Sequence, residues 1–186
     1  MRTSGWLLLV AILTTSHVVH ADGGDDKHLT IMWAPIRLVI PVFEVTGEYA
    51  INQKLGVSVE LGGGQRGVTV GADTAKGTEL EGGAQVRYYV LGSFRHGMEL
   101  GAEFLEEYVK FSEPLPGNIV GVAAGGATVG PFVGYKIATH VGFTFEAQLG
   151  ARYLVVEPGI TGQTAGATVS FDKWAPLLHL NIGWSF

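Results

Sequence analysis

The residues of this sequence that could do chemistry recur at alternate positions. Glu44 and Glu48, Glu99 and Glu103, and, singly, Glu60, Arg87, Lys136, Glu146, Arg152 and His179 sit in runs where each second residue is glycine, polar or charged. A carboxylate pair could serve as general acid and base. Alternation along a strand explains Glu44 with Glu48, and Glu99 with Glu103, more simply, as residues lining one face. The run Gly62, Gly63, Gly64, Gln65, Arg66, Gly67 has the glycines of a phosphate-cradling loop, but no Lys-Ser/Thr follows and no helix starts there. Beyond residue 21 the histidines, His28, His96, His140 and His179, are scattered singly, without the close spacing of a metal site. None of the serines Ser58, Ser93, Ser112, Ser170 and Ser185 lies in a nucleophile motif. No catalytic group, metal or cofactor is expected.

Composition narrows the classes further. The formal net charge is −5 and there is no basic run, a poor prospect for nucleic acid. With no cysteine, a lipoprotein anchor, a disulfide framework and a thiolate metal site are excluded. Residues 1–21 have the form of a secretory signal: Arg2, an apolar run from Trp6 to Leu13, and Val19, His20, Ala21 as the cleavage site. That apolar run is shorter than the roughly 20 residues of a membrane-spanning helix. Residues 22–186 are then one domain, with 22–27 a short solvated leader. The 28 glycines and low charged fraction of 16% of the whole sequence suit closely spaced, curved β-structure with a surface facing something other than water.

The elements that position the charges are strands. A first is expected around Leu29 to Pro35, followed by a proline-bracketed turn to Pro41 and a second strand from Val42 to Ile51. Asn52 to Lys54 make a hairpin-sized reversal into a third, Leu55 to Gly62. Gly63 to Thr78 is expected to be a polar loop, Glu79 to Leu91 a fourth strand, and Gly92 to Gly97 a turn. The fifth strand starts at Met98; Glu106 and Glu107 break its pattern by a bulge or by emergence from a membrane, with Tyr108 and Phe111 marking the interface. A loop at 111–124 carries Pro114, Pro116 and Gly117. The sixth strand spans Gly126 to Ala138, with Pro131 sitting badly in it, and Thr139 and His140 turn the chain into a seventh from Val141 to Tyr153. A long loop, 157–173, precedes the eighth.

In that eighth strand Pro176, Leu178, Leu180, Ile182, Trp184 and Phe186 share one face; Leu177, His179, Asn181, Gly183 and Ser185 share the other. Across the strands the apolar face carries Phe43, Tyr49, Tyr88, Tyr135, Phe143, Phe145, Tyr153 and Trp184, whereas the other carries glycine, small polar residues and charges. The interior of an eight-stranded barrel is only wide enough for side chains to fill it. The small, polar face therefore belongs inside, and Glu44, Glu48, Glu60, Arg87, Glu99, Glu103, Lys136, Glu146, Arg152 and His179 form a lumenal charge network, in which burial demands pairing, hydration or neutralisation. The fold expected is all-β, an eight-stranded antiparallel up-and-down transmembrane barrel, with short connections at one end and longer ones at the other.

The closing strand, with Trp184 and Phe186 as its last aromatics, resembles that of bacterial outer-membrane β-barrel proteins, and the whole pattern is similar to the OmpX and opacity-type small barrels. The resemblance implies residence as a monomer in the outer membrane of a Gram-negative bacterium, contact with outer-membrane lipid and lipopolysaccharide, and reading of Trp184 and Phe186 by the barrel-assembly machinery. It further implies a structural or surface-interaction role, with any surface ligand held by loops 63–78, 111–124 and 157–173. Lipid-modifying enzymes also use this scaffold, but they need an outward Ser and His near the rim, and Ser185 and His179 face inward. A narrow passive channel for small solutes and a soluble lipocalin-like carrier are the remaining alternatives.

Overall fold

The computed structural model describes residues 27–70, 73–111, 123–156 and 173–186; the expected signal segment 1–21 and most of the loops 111–124 and 157–173 lie outside them. Strands β1 (Leu29–Trp33), β2 (Val42–Ala50), β3 (Leu55–Val70), β4 (Asp73–Ser93), β5 (His96–Phe111), β6 (Ala123–Ala138), β7 (Phe143–Val156) and β8 (Trp174–Ser185) follow one another around a closed antiparallel barrel. Closure is made by β1, which pairs with both β2 and β8. The Phe186 N–H donates to the Leu29 carbonyl at 2.7 Å, so the ladder runs to the last residue and leaves no open edge there.

Period-two patterning decides which face is turned in. On β2, Phe43 and Tyr49 are exposed while Val42, Glu44, Thr46 and Glu48 are buried. On β8, Leu178 and Trp184 are exposed while Leu177, His179, Asn181 and Ser185 are buried. The polar face is thus the interior, and the outer wall is a belt of exposed Leu, Val, Ile and aromatic side chains. Some aromatics pair on the wall: Trp33 stacks on Phe43 with centroids 6.2 Å apart, and Tyr153 meets Trp174 edge to face at 5.0 Å.

Several elements differ from the sequence expectation. The segment 63–78 is no loop: β3 and β4 stay in register from Gly63↔Leu80 to Val70↔Asp73. Its polar, glycine-containing composition reads as loop, yet a ladder needs only backbone groups. Glycine there permits close approach, since a Cβ on Gly64 would collide with the Pro41 carbonyl. The turn expected over 92–97 is also tighter, because β4 reaches Ser93 and β5 begins at His96. A register shift at Tyr89/Leu91 and Gly92 at φ +77° supply the curvature, a conformation that favours glycine.

No bulge occurs at Glu106 and Glu107, which pair in register with Gly82 and Glu81. Glu106 points outward and Glu107 inward, so the alternation simply places a charge on each face. Tyr108 is exposed as expected, but Phe111 is turned inward. A shift at Ala127/Thr128 buries Ala127, which alternation alone would place outside. Pro131 is accommodated by facing outward and pairing with Ala102 of β5, while the ladder to β7 skips Gly130 and Pro131. Val141 and Gly142 belong to the turn before β7, with Gly142 at φ +108°. Between β1 and β2, Pro35–Val39 forms a 3-10 segment; Pro35 opens it, where a missing N–H costs nothing.

Candidate functional site: the barrel interior

Since the interior is the polar face of every strand, its chemistry can be followed from the end holding the chain terminus (lower) to the end holding the 3-10 segment (upper). At the lower end the hydroxyls of Thr30 and Thr144 meet that of Ser185 at 2.8 and 2.6 Å. Lys136 Nζ donates to Thr30 Oγ1 at 3.0 Å and to Glu48 Oε2 at 2.6 Å, and lies 3.6 Å from the Phe94 ring centroid. Tyr89 OH donates to the second Glu48 oxygen at 2.6 Å, and its ring meets Phe94 edge-on.

Above this sits Arg87, fully buried. It donates from Nη1 to Glu48 Oε2 at 3.0 Å and to Glu146 Oε2, and from Nε to Gln85 at 2.9 Å. Arg87 on β4 thereby bonds β2 on one side and β7 on the other, across the lumen. Asn181 donates to the other Glu146 oxygen at 3.0 Å, and Gln148 donates to Glu99 at 2.8 Å. Gln85 donates in turn to Glu103 at 2.7 Å.

The next layer is centred on His179 of β8. Its Nδ1 faces Glu44 Oε1 at 3.4 Å, and its Nε2 faces Glu103 Oε2 at 3.3 Å and Arg152 Nη2 at 2.8 Å. Arg152 Nε also donates to Glu103 Oε1 at 2.6 Å. Glu60 is 1% exposed, and neither of its carboxylate oxygens has a hydrogen-bond partner. At the upper end Arg37, from the 3-10 segment, reaches into the mouth to contact Glu44 at 3.1 Å and Glu81. Burial works against its charge, but Glu81 and Glu44 offset this and raise its pKa above the ordinary arginine value.

All the residues assigned from sequence to a lumenal network, Glu44, Glu48, Glu60, Arg87, Glu99, Glu103, Lys136, Glu146, Arg152 and His179, lie in this interior. Except for Glu60, each meets at least one other polar group there through a hydrogen bond or ion pair. Sequence reasoning missed Arg37, Glu79, Glu81, Tyr89 and Phe94. Glu79 and Glu81 share the parity of Gln85 and Arg87, so carrying the period back to the first residue of the expected fourth strand would have found them. Arg37 carries no such signal. Ser185 and His179 share no hydrogen bond; the Ser185 hydroxyl is engaged by threonines.

No family model matches the sequence, and no curated protein matches it. Among solved structures, the crystal structure of Acinetobacter baumannii CarO is similar to this chain at a TM-score of 0.43 and 10% sequence identity, over 89% of this chain and 100% of that one.

Proposed function

We propose that this chain is an integral β-barrel of a Gram-negative outer membrane, with a filled polar lumen and a structural or surface-interaction role. The observation that carries the reading is the inverted polarity of a closed barrel. Leu61, Val86, Leu91, Phe104 and Leu149 are exposed on the wall, while Arg87, Glu48 and Glu146 are sealed within. In water that arrangement would expose the apolar surface and bury the charges, the reverse of what stabilises a soluble domain. Hydrocarbon around the wall makes it favourable. A lipocalin-like carrier would need these apolar side chains around a cavity, and they are on the outside.

The cross-lumen bonds of Arg87 and the contact of Gln85 with Gln148, at 3.3 Å, favour a plugged interior over a passive channel. Planar bilayers containing the purified chain are expected to show no steady conductance. On this reading Trp184 and Phe186 are contacts for the assembly machinery, and lipopolysaccharide is the neighbour of the outer leaflet. Any surface ligand meets the upper end, where the extended β3–β4 hairpin replaces one of the expected loops. Fractionation of cells with gel migration before and after boiling tests the reading: the chain should partition with outer membranes and run faster unboiled. Recovery in the soluble periplasm with unchanged mobility would overturn it.

A further inference from the structure

Glu60 is an unusual residue in this interior. Around His179, the carboxylates of Glu44, Glu60, Glu81 and Glu103 face the guanidinium groups of Arg37 and Arg152, which with a neutral imidazole leaves two negative charges without a cation. Glu44 and Glu81 share Arg37, which accounts for one of the two, and the other falls on Glu60, whose two oxygens are buried and unpartnered. A buried carboxylate with no donor is costly unless something neutralises it. Glu60 does not point into empty wall. One donor atom from each of Glu60, Glu103 and His179 lies within 4.8 Å of the others.

We infer that Glu60, Glu103 and His179 form an intralumenal site for a divalent transition-metal cation. Two carboxylate oxygens and one imidazole nitrogen are a donor set suited to borderline ions such as Zn2+. Metal–ligand bonds of about 2.0–2.2 Å hold donor atoms no more than roughly 4.4 Å apart, so the spacing seen requires only small side-chain rotations. The ion brings the two positive charges this layer lacks. Glu44, facing the other ring nitrogen at 3.4 Å, helps to orient the imidazole, the usual task of a second carboxylate beside a ligating histidine. Arg152 competes for the same groups, from Glu103 Oε1 and from His179 Nε2. Because Nε2 has a single lone pair, the ion must displace Arg152 Nη2 from it, binding on the Glu60 side while Arg152 Nε keeps its bond to Glu103 Oε1. A second carboxylate group, Glu79, Glu81 and Glu107, lacks a histidine and serves as the comparison.

The test uses the full chain refolded in detergent with Zn2+ present, so that access to the interior is not limiting, then desalted and assayed for bound zinc by mass spectrometry. About one ion per barrel is expected, with the imidazole nitrogen resonances of His179 shifted relative to protein refolded with a chelator. Glu60→Gln keeps the side-chain shape and should lower zinc affinity by about tenfold or more, with unboiled gel mobility preserved. Glu107→Gln should leave zinc binding unchanged. Absence of bound zinc, undiminished binding by Glu60→Gln, or shifts confined to His28, His96 and His140 would each overturn the inference. A chain found soluble would instead overturn the membrane reading and leave the zinc result standing by itself.

Discussion

Arg87 ties β4 to carboxylates on β2 and β7, so its removal does more than delete one ion pair. Arg87→Leu leaves Glu48 and Glu146 sealed in the lumen with one cation fewer between them. Breaking a buried pair from one side costs about 3–5 kcal/mol. A loss of that size is expected in the unfolding free energy measured by urea titration in lipid vesicles. By contrast, Glu106→Gln on the outer face should fall within about 0.5 kcal/mol of the parent. Were the two losses equal, the lumen would be wet enough to screen its charges. A different residue-level constraint operates at Gly101, where a Cβ would run into the Phe132 ring. Gly101→Ala is expected to cost about 1–3 kcal/mol by overpacking, read in the same titration. The inward charges were legible because alternation assigns a face from parity alone, and Gly101 and Phe132 share that parity. Their contact across β5 and β6 was not, because it depends on register, Gly101↔Phe132, which parity does not give.

The strands themselves were legible where apolar and polar residues alternate cleanly, as in β2, β7 and β8. They were not where glycine and threonine dilute the pattern. The upper half of β3 and the first residues of β4, up to Thr78, read as a loop because the ladder there rests on backbone pairing, which leaves little mark on side-chain type. The 3-10 segment was equally hidden: Pro35 and Pro41 announce a break in the strand, but nothing says that the chain folds back over the barrel mouth. Arg37 holds it there through Glu44 and Glu81. A hydrogen bond to a charged group contributes about 1.5–3 kcal/mol, and this one is partly buried. Arg37→Ala should accordingly lower stability by about 2 kcal/mol and speed proteolytic cutting within Pro35–Val39, while β1–β8 stay closed and heat-modifiable. Unchanged cutting would mean that the prolines alone hold the segment.

On the scale of the molecule, two ends of different character follow from an even strand count. One end holds the chain terminus paired to Leu29, the reversal at Ile51–Lys54, the turn at Phe94 and Arg95, and the turn at Thr139–Gly142. The other holds the 3-10 segment, the tip of the β3–β4 hairpin, and the upper ends of β5, β6, β7 and β8. On the proposed outer-membrane reading the chain reaches the membrane from the periplasm, and a barrel inserting from there keeps its short turns on that side. The compact end should then face the periplasm and the 3-10 end the cell exterior. A short epitope inserted between Val70 and Asp73, where β3 ends and β4 begins, should be labelled by antibody on intact cells. The same epitope between Gln53 and Lys54 should be labelled only after the outer membrane is permeabilised. Labelling of the second site alone on intact cells would invert the orientation. It would also move Arg37 and its carboxylates to the periplasmic mouth, where they would meet no surface ligand. Labelling of both without permeabilisation would mean that the barrel is not a transmembrane one, and that the apolar wall requires another partner.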